Sequence, residues 1–280
     1  MAGASAATGR RVAEAISHEL RLRLASAAVL IVLGLAAALV GGWLFALLVA
    51  AVALIAAHEW GSLVARRHEV EGLRLWAALV AGVAAVLGVV AAMLGAVLWG
   101  FVAIGLIALC AAAFGRGRGW PPRWLAWGVV YIALAPMLLV WMRERGADGL
   151  IYVLFVFAVV WAADTVAFFA GRTFGGPKLA PVWSPNKTWA GLAGAMVGAS
   201  LAAGAVAYVA GLPFVGGAML LGAGLGAVAQ AGDLFESRFK RLAHTKDTSH
   251  LIPGHGGALD RLDGLMFATP VFAFFVALHP

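Results

Sequence analysis

The sequence predicts an all-α, polytopic integral membrane protein. Hydrophobic residues make up 63% of its 280 residues and charged residues only 12%, whereas a typical soluble domain is roughly 45–50% hydrophobic. The hydrophobic residues form long runs broken by glycine, proline or charge, as in membrane-spanning helices. A water-soluble globular fold is therefore excluded. The single cysteine, Cys110, also excludes disulfide frameworks and cysteine-based zinc sites, so any bound metal must have oxygen or histidine ligands.

Nine runs are predicted to span the bilayer, which takes about 17–25 apolar residues. The first two are short and are separated only by Gly41 and Gly42. We divide them there because one continuous helix would be far too long for a single crossing. Each later run ends at glycine, proline or charged residues. In chain order, the spans are predicted near residues 26–40, 43–58, 74–94, 96–113, 126–142, 150–170, 190–210, 214–231 and 264–279.

The basic residues support this count. If the N-terminus is cytoplasmic, 18 of the 20 Lys and Arg residues lie in cytoplasmic segments, and only Arg143 and Arg145 lie outside. A missed span would invert every later loop and mix these totals, so we predict a cytoplasmic N-terminus and a C-terminus outside. The net charge of +7 is consistent with anionic lipid headgroups or with an anionic substrate.

The chain divides into two regions of different polarity. Residues 1–145 are predicted to hold a basic interfacial segment, with an amphipathic helix at residues 10–24, and transmembrane scaffold helices. Residues 146–280 are predicted to form the catalytic transmembrane region with cytoplasmic polar loops, because six of their carboxylates lie in or beside cytoplasmic segments. The first half holds little that is polar within its spans except His58-Glu59, for which two interpretations stay open: an interfacial helix end beside an aromatic anchor, or part of the site.

Asp164 lies inside the sixth run, about seven residues or roughly 10 Å from its cytoplasmic end. An acid at that depth is costly unless it is paired or faces a wet cavity, so it is either functional or held by a structural partner such as Arg172. The loop that follows, residues 171–188, combines glycines, prolines, hydroxyls and three cations. Such a loop suits a phosphate cradle, and similar loops are also common between membrane helices.

The densest polar segment runs from Gln230 to Asp263. If the eighth helix continues beyond the membrane, about 100° per residue places its polar side chains in one stripe and its aromatic residues on the opposite face. An acid near the membrane and two cations farther out suit a divalent ion and a polyphosphate; a solvated helix face is the alternative. The members of the stripe are Gln230, Asp233, Ser237, Lys240, Arg241 and His244.

Asp260 and Asp263 open the last predicted span. Being three residues apart, they share a face at a helix N-terminus if they are helical, and negative charge is favoured there. Carboxylates from separated positions, together with waters, give the octahedral oxygen coordination that Mg²⁺ prefers. An interfacial salt-bridge cluster is the alternative interpretation.

Three blocks in this half carry a resemblance to a known family. They are Ser237-Arg238-Phe239-Lys240-Arg241 with Lys246-Asp247, Leu251-Ile252-Pro253-Gly254-His255-Gly256-Gly257 and Asp260-Arg261-Leu262-Asp263; the stretch 229–237; and the loop from Asp164 through Ser184-Pro185-Asn186-Lys187-Thr188. Together they cover roughly residues 160–265 and resemble the signature of phosphatidate cytidylyltransferases, also called CDP-diacylglycerol synthases. Two positions depart from that pattern. Ala190 stands where the family usually has Glu, and Ala258 where a larger aliphatic residue is usual.

The resemblance implies transfer of CMP from CTP to phosphatidic acid, giving CDP-diacylglycerol and pyrophosphate with Mg²⁺, as a step of phospholipid biosynthesis. It also implies an integral protein of the bacterial inner membrane whose active site faces the cytoplasm. The expected partners are CTP, phosphatidic acid and membrane lipids, with no nucleic acid. A second divalent or a monovalent cation stays open, and so does a homodimer, because small-residue helix faces serve packing within or between chains equally well.

The resemblance further implies roles for individual residues. The expected catalytic residues are Asp233, Asp260, Lys246, Asp247 and Arg261. The expected metal ligands are Asp233 and Asp260, with Asp247 and Asp263 completing the shell or fixing basic partners. The residues expected to bind substrate are Asp164, Ser184, Lys187, Thr188, Ser237, Lys240, Arg241 and His255.

Two other functions stay open. The same enzyme fold could use CTP with a different lipid acceptor, such as a polyprenol, because acyl chains contact generic apolar surface. An ion-coupled transporter would use Asp164 as its intramembrane coupling acid. The transporter would leave the crowded polar loops without a role, and the sequence shows no two-half internal repeat.

Overall fold

The structure, a computed structural model, describes residues 28–70, 72–249, 251 and 256–279. The amphipathic helix predicted at residues 10–24 lies outside these ranges, as does His255. A 3-10 turn (Gly146–Asp148) precedes the sixth helix. The helices are α1 (Ala28–Val40), α2 (Gly42–His68), α3 (Leu73–Met93), α4 (Val97–Gly117), α5 (Pro122–Arg143), α6 (Gly149–Phe174), α7 (Trp189–Val209), α8 (Val215–Leu242) and α9 (Leu259–Leu278).

All nine apolar runs are helices, so the predicted all-α class is confirmed. Within the described ranges, α2 to α9 are the eight helices long and apolar enough to cross a membrane, and α1 is a shorter apolar helix. The largest departures from the predicted bounds are at the ends of α2 and α8, which continue to His68 and Leu242. The last helix, α9, begins earlier than predicted, at Leu259, and so takes in both Asp260 and Asp263. The predicted loop between α6 and α7 holds a small antiparallel hairpin of β1 (Lys178–Ala180) and β2 (Ser184–Thr188).

The break between α1 and α2 lies at the predicted glycine pair. Gly41 and Gly42 have φ angles of 70° and 55°, in the left-handed region that favours glycine. Residues at the end of α5 hydrogen-bond to the backbone at this break. Arg143 Nε donates to the Ala38 carbonyl at 2.6 Å, and Glu144 Oε1 accepts from the Gly42 amide at 3.1 Å. A Cβ at position 41 would collide with the Arg143 guanidinium. Glycine is therefore favoured there by conformation, and a larger residue would also displace the Arg143 side chain.

Small residues let α6, α7 and α8 pack closely against one another. A Cβ on Gly198 of α7 would lie 2.6 Å from Val166 of α6. A Cβ on Gly226 of α8 would lie 2.7 Å from Ala199 of α7. These glycines therefore serve packing within the chain, as small residues do between membrane helices.

The contacts of Trp60 bring several helix ends together. Trp60, near the end of α2, is buried, and its ring centroid lies 5.9 Å from that of Trp124 at the start of α5 and 5.1 Å from that of Phe239 near the end of α8. We call this side of the bundle the polar end, because the polar residues of α8 and α9 lie there. A buried Trp is not an interfacial anchor. The interpretation of His58-Glu59 as an interfacial helix end beside an aromatic anchor is therefore wrong.

Candidate active site

The polar stripe of α8 forms one wall of the site. Because α8 is one continuous helix, Gln230, Asp233, Ser237 and Lys240 share a face, as predicted. Ser237 Oγ donates to Asp233 Oδ1 at 3.2 Å, one turn earlier. The opposite face of α8 packs its aromatic side chains, such as Phe239, into the bundle. The stripe also has partners in other elements, described below, so it is not merely a solvated helix face.

Lys187, on strand β2 of the hairpin, contacts this wall. Lys187 Nζ lies 2.5 Å from Asp233 Oδ2 and donates to Gln230 Oε1 at 2.8 Å. Gln230 Nε2 in turn donates to Asp164 Oδ1 at 3.3 Å, so the described partner of this acid is Gln230 and not Arg172. One chain of polar contacts thus joins α6, β2 and α8.

The rest of the hairpin is anchored at both ends of β2. Thr188 is buried and is the N-cap of α7, since its Oγ1 accepts from the Gly191 amide at 3.0 Å. Before β2, the Trp183 carbonyl accepts from Arg241 Nε of α8 at 3.2 Å. The Trp183 ring also lies 5.3 Å from the Arg238 guanidinium, a cation–π distance. Arg241 and Arg238 therefore hold the hairpin against α8.

Lys240 connects α8 to α9. Its Nζ lies 2.6 Å from Asp260 Oδ1 and 3.5 Å from Glu236 Oε2. The second oxygen of Asp260 accepts from the Gly257 amide at 2.8 Å, from the Thr248 amide at 3.0 Å and from Thr248 Oγ1 at 2.9 Å. Asp260, the second residue of α9, thus accepts from two backbone N–H groups of the chain that precedes the helix. Both of its oxygens are thus engaged.

Two further acids of this wall are buried. Glu236 is 1% exposed and Asp263 is 9% exposed. Asp263 Oδ1 accepts from the Gly264 amide at 2.7 Å, and Asp263 lies within electrostatic range of Asp233 and Asp164. In the part of the chain that the structure describes, no donor meets either oxygen of Glu236 with hydrogen-bond geometry. Buried carboxylates with so few donors favour a nearby cation, because an uncompensated buried charge is costly.

This set of oxygen donors fits Mg²⁺. Among the described residues, no three Asp, Glu, His or Cys side chains converge closely enough to hold a metal by themselves. Mg²⁺, however, is commonly bound through one or two carboxylates and completes its octahedral shell with substrate phosphates and water. The acids near Asp233 and Asp263 can therefore accept a magnesium ion that arrives with a nucleotide.

The structure brings half of the predicted site residues together, and others lie at the edges of the wall. Ser184 lies at the far end of β2 from Lys187, and Lys246 is exposed. Asp247 is half-buried and flanks Asp260 across Gly256: a Cβ on that glycine would lie 3.7 Å from Asp247 Cβ and 2.9 Å from Asp260 Oδ2. Arg261 follows Asp260 in the first turn of α9. The predicted residues that meet at the wall are Asp164, Lys187, Asp233, Ser237, Lys240, Asp260 and Asp263.

Three residues at the site had no role in the sequence prediction, and a fourth, Glu59, was left open between an interfacial helix end and part of the site. Gln230 was placed in the stripe without a function, and Glu236 could have been noticed because it lies one turn before Lys240. Glu59 had one signal, an acid inside an apolar run of the first half. Thr248, which contacts both Glu59 and Asp260, had no signal in its surrounding sequence.

Known proteins resemble this chain along most of its length. The Cytidylyltransferase family matches residues 21–279. A protein of Brucella abortus named phosphatidate cytidylyltransferase is 39% identical over 262 residues, which cover 92% of this chain and 94% of that protein. One of the same name from Pseudomonas aeruginosa is 38% identical over 248 residues, covering 84% and 88% of the two chains. A third, from Haemophilus influenzae, is 46% identical over 132 residues, covering 45% and 46%.

The family match takes in both the apolar first half and the polar segment that carried the resemblance. Its bounds enclose every helix from α1 to α9. The resemblance inferred from the polar blocks is thus confirmed, and the chain belongs to the cytidylyltransferase family.

Proposed function

We propose that this protein is a phosphatidate cytidylyltransferase, which transfers CMP from CTP to phosphatidic acid and gives CDP-diacylglycerol and pyrophosphate. The observation that carries the proposal is the wall of paired cations and acids at the end of the membrane helices, centred on Lys187, Asp233, Lys240 and Asp260. Such a place lets a water-soluble polyphosphate meet the headgroup of a lipid that stays in the bilayer. The relatives named for this activity match most of the chain.

The reaction requires that the two substrates be positioned and that the charge of their phosphates be neutralised. A phosphate oxygen of phosphatidic acid attacks the α-phosphorus of CTP, the bond from that phosphorus to the β-phosphate oxygen breaks, and pyrophosphate leaves. The attacking oxygen is already anionic at neutral pH, so no side chain has to remove a proton. The barrier comes largely from bringing anions together and aligning them, which preorganised cations reduce.

Lys187 and Lys240 are the preorganised cations of this wall. Each ammonium is held by a carboxylate, Lys187 by Asp233 and Lys240 by Asp260. Their positions are therefore set before substrate arrives, and both can neutralise phosphate charge. We assign them to the phosphates of CTP and of the lipid, with Ser184, Thr188 and Arg241 shaping the hairpin that carries Lys187.

We assign Mg²⁺ to the acids of the same wall. Asp233 and Asp263 would hold it, and the ion would supply charge neutralisation on the triphosphate. Asp260 could join its ligands through Oδ1, which accepts one hydrogen bond, from Lys240, whereas Oδ2 already accepts three. Asp247 lies on the far side of Gly256, close to Asp260, and would help to hold Asp260 in place.

The proposal is tested by following the α-phosphate label of CTP into lipid, with purified protein in detergent. We expect labelled CDP-diacylglycerol with dioleoyl phosphatidate and Mg²⁺, and none with dioleoylglycerol or with EDTA. Asp233→Asn should lower the rate by about 10²-fold, because it unpairs Lys187 and removes a ligand. Asp148→Asn is the matched control: Asp148 lies in the exposed turn before α6 and should leave the rate unchanged.

Well-folded wild-type protein that makes no CDP-lipid from phosphatidate would contradict the proposal. A product formed only with a polyprenyl phosphate would move the assignment to a different lipid acceptor. Activity that survives EDTA would remove Mg²⁺ from the mechanism while leaving the transfer itself in place.

A further inference from the structure

Glu59 is an acid of the first half that is fully buried against the catalytic half. It lies on α2 and is 1% exposed. Its carboxylate accepts three hydrogen bonds and lies near a fourth donor, and the four groups belong to Thr248, Ser249, Ala258 and Leu259. Oε1 accepts from Ser249 Oγ at 2.5 Å and from the Ala258 amide at 3.0 Å. Oε2 accepts from the Leu259 amide at 2.7 Å and is 3.2 Å from Thr248 Oγ1.

These contacts cap α9 from another helix. The N-cap residue of α9, Ala258, has no side chain that can accept a hydrogen bond. The first amides of a helix need acceptors, and a negative charge is favoured beside them. Glu59 accepts from the first two of these amides, while Asp260 accepts from that of Gly257. The start of α9 is thus fixed by α2 and not by its own sequence alone.

The same carboxylate reaches the catalytic wall through Thr248. Thr248 Oγ1 lies between two acids, 3.2 Å from Glu59 Oε2 and 2.9 Å from Asp260 Oδ2. Its single proton serves one acid at a time, so the hydroxyl is confined between both. A Cβ on Gly257 would collide with Thr248 Oγ1 and would lie 2.7 Å from the Glu59 carboxylate. The space around Thr248 Oγ1 is therefore filled. Asp260, held by Thr248, in turn holds Lys240 through their ion pair.

We propose that Glu59 is a positioning residue for cytidylyl transfer: it fixes the start of α9 and Thr248, and thereby sets the Asp260–Lys240 pair that faces the phosphates. This inference rests on the proposed function, because its readout is the transfer reaction. A purely structural Glu59 would matter for the amount of folded protein. A positioning Glu59 also matters for the turnover of each folded molecule.

The first test is Glu59→Gln, which keeps the shape of the side chain but turns one acceptor oxygen into an NH₂ group facing amide donors. We expect kcat to fall by about 10²-fold, the scale of a misplaced catalytic group. KM for CTP should change far less, because the lost interaction acts mainly in the transition state. Glu144→Gln is the matched control: Glu144 also accepts a backbone amide, that of Gly42, at the other end of the bundle, and kcat should stay at the wild-type value.

A second pair of variants keeps the test decisive if Glu59→Gln does not fold. Thr248→Ser retains the bridging hydroxyl and should keep wild-type kcat, whereas Thr248→Val removes it and should lower kcat by roughly tenfold or more. Where all variants fold, the double variant of Glu59→Gln and Thr248→Val should lose much less than the product of the two single losses, because both act through Asp260.

The outcomes separate the inference from the function on which it rests. Inactive wild-type protein would overturn the proposed function. Active wild type with unchanged kcat in Glu59→Gln or in Thr248→Val would overturn the positioning role. A rate that falls only in proportion to the folded fraction, measured by gel filtration and thermal unfolding, would also overturn it and would leave Glu59 a structural residue.

Discussion

At Lys187, one ammonium group serves two partners on α8. It lies 2.5 Å from the Asp233 carboxylate and 2.8 Å from the Gln230 amide oxygen. Its side chain is only 16% exposed, and that of Asp233 is 31% exposed. A pair this sheltered is costly to break, because removing one charge leaves the other poorly compensated.

Replacing Lys187 should therefore lower the activity of the protein more than the stability of its fold. We expect Lys187→Ala to lower kcat/KM by about 10²-fold, since it removes a preorganised cation and leaves Asp233 unpaired. Lys178→Ala, at the exposed first residue of strand β1 in the same hairpin, is the control and should keep the wild-type rate. An equal loss in both variants would show that the hairpin as a whole, and not the Lys187 charge, is responsible.

The periodicity of a helix explains which site residues could be predicted. Asp233, Ser237 and Lys240 were placed together correctly because about 100° per residue fixes their angle once α8 is known to be continuous. The partners of Glu59 were not foreseen, because its contact with Thr248 spans 189 residues and no local pattern encodes it. The assignments of metal ligands and substrate contacts remain predictions.

At the scale of elements, the turn between α1 and α2 depends on a single backbone conformation. We expect Gly41→Ala to destabilise the protein by roughly 1–2 kcal/mol for the left-handed conformation alone, with an added penalty from the Arg143 collision. Gly34→Ala, in α1, is the control, because a Cβ there meets nothing within 4 Å. Thermal unfolding in detergent should show a lower Tm only for Gly41→Ala, with turnover per folded molecule unchanged. Equal Tm values would contradict the preference for glycine at position 41.

Hydropathy located every helix but not every helix end. The apolar runs fix where a helix must exist, because the bilayer excludes unpaired backbone groups. The start of α9 lies in polar sequence, where the end of a helix depends on distant acceptors such as Glu59. The hairpin was predicted as a loop, since strands of three and five residues between glycines and prolines leave too short a pattern.

At the scale of the whole molecule, the polar end of the bundle, which carries the proposed site, differs from the opposite end. The buried acids, Lys187 and Lys240 lie at the first, and the turn around Arg143 and Glu144 lies at the second. The proposed function places the polar end in the cytoplasm, where CTP is available. The distribution of basic residues along the sequence predicts the same orientation.

Cysteine labelling tests this orientation. In a Cys110→Ala background, Lys246→Cys at the polar end should react with an impermeant maleimide only in inside-out vesicles. Ala147→Cys, in the exposed turn before α6, should react only in right-side-out spheroplasts. The reverse pattern would put the site outside the cell and would be incompatible with a cytoplasmic nucleotide substrate.

The contacts of Glu59 also impose an order on the maturation of the chain. Its amide donor Leu259 is separated from it by 200 residues, so a ribosome releases α2 into the bilayer long before α9 exists. During that interval the nascent chain carries an acid whose eventual hydrogen-bond donors have not been translated. The catalytic pocket therefore cannot be assembled progressively from the first helices onward; it is completed only when one of the last-made segments returns to one of the earliest.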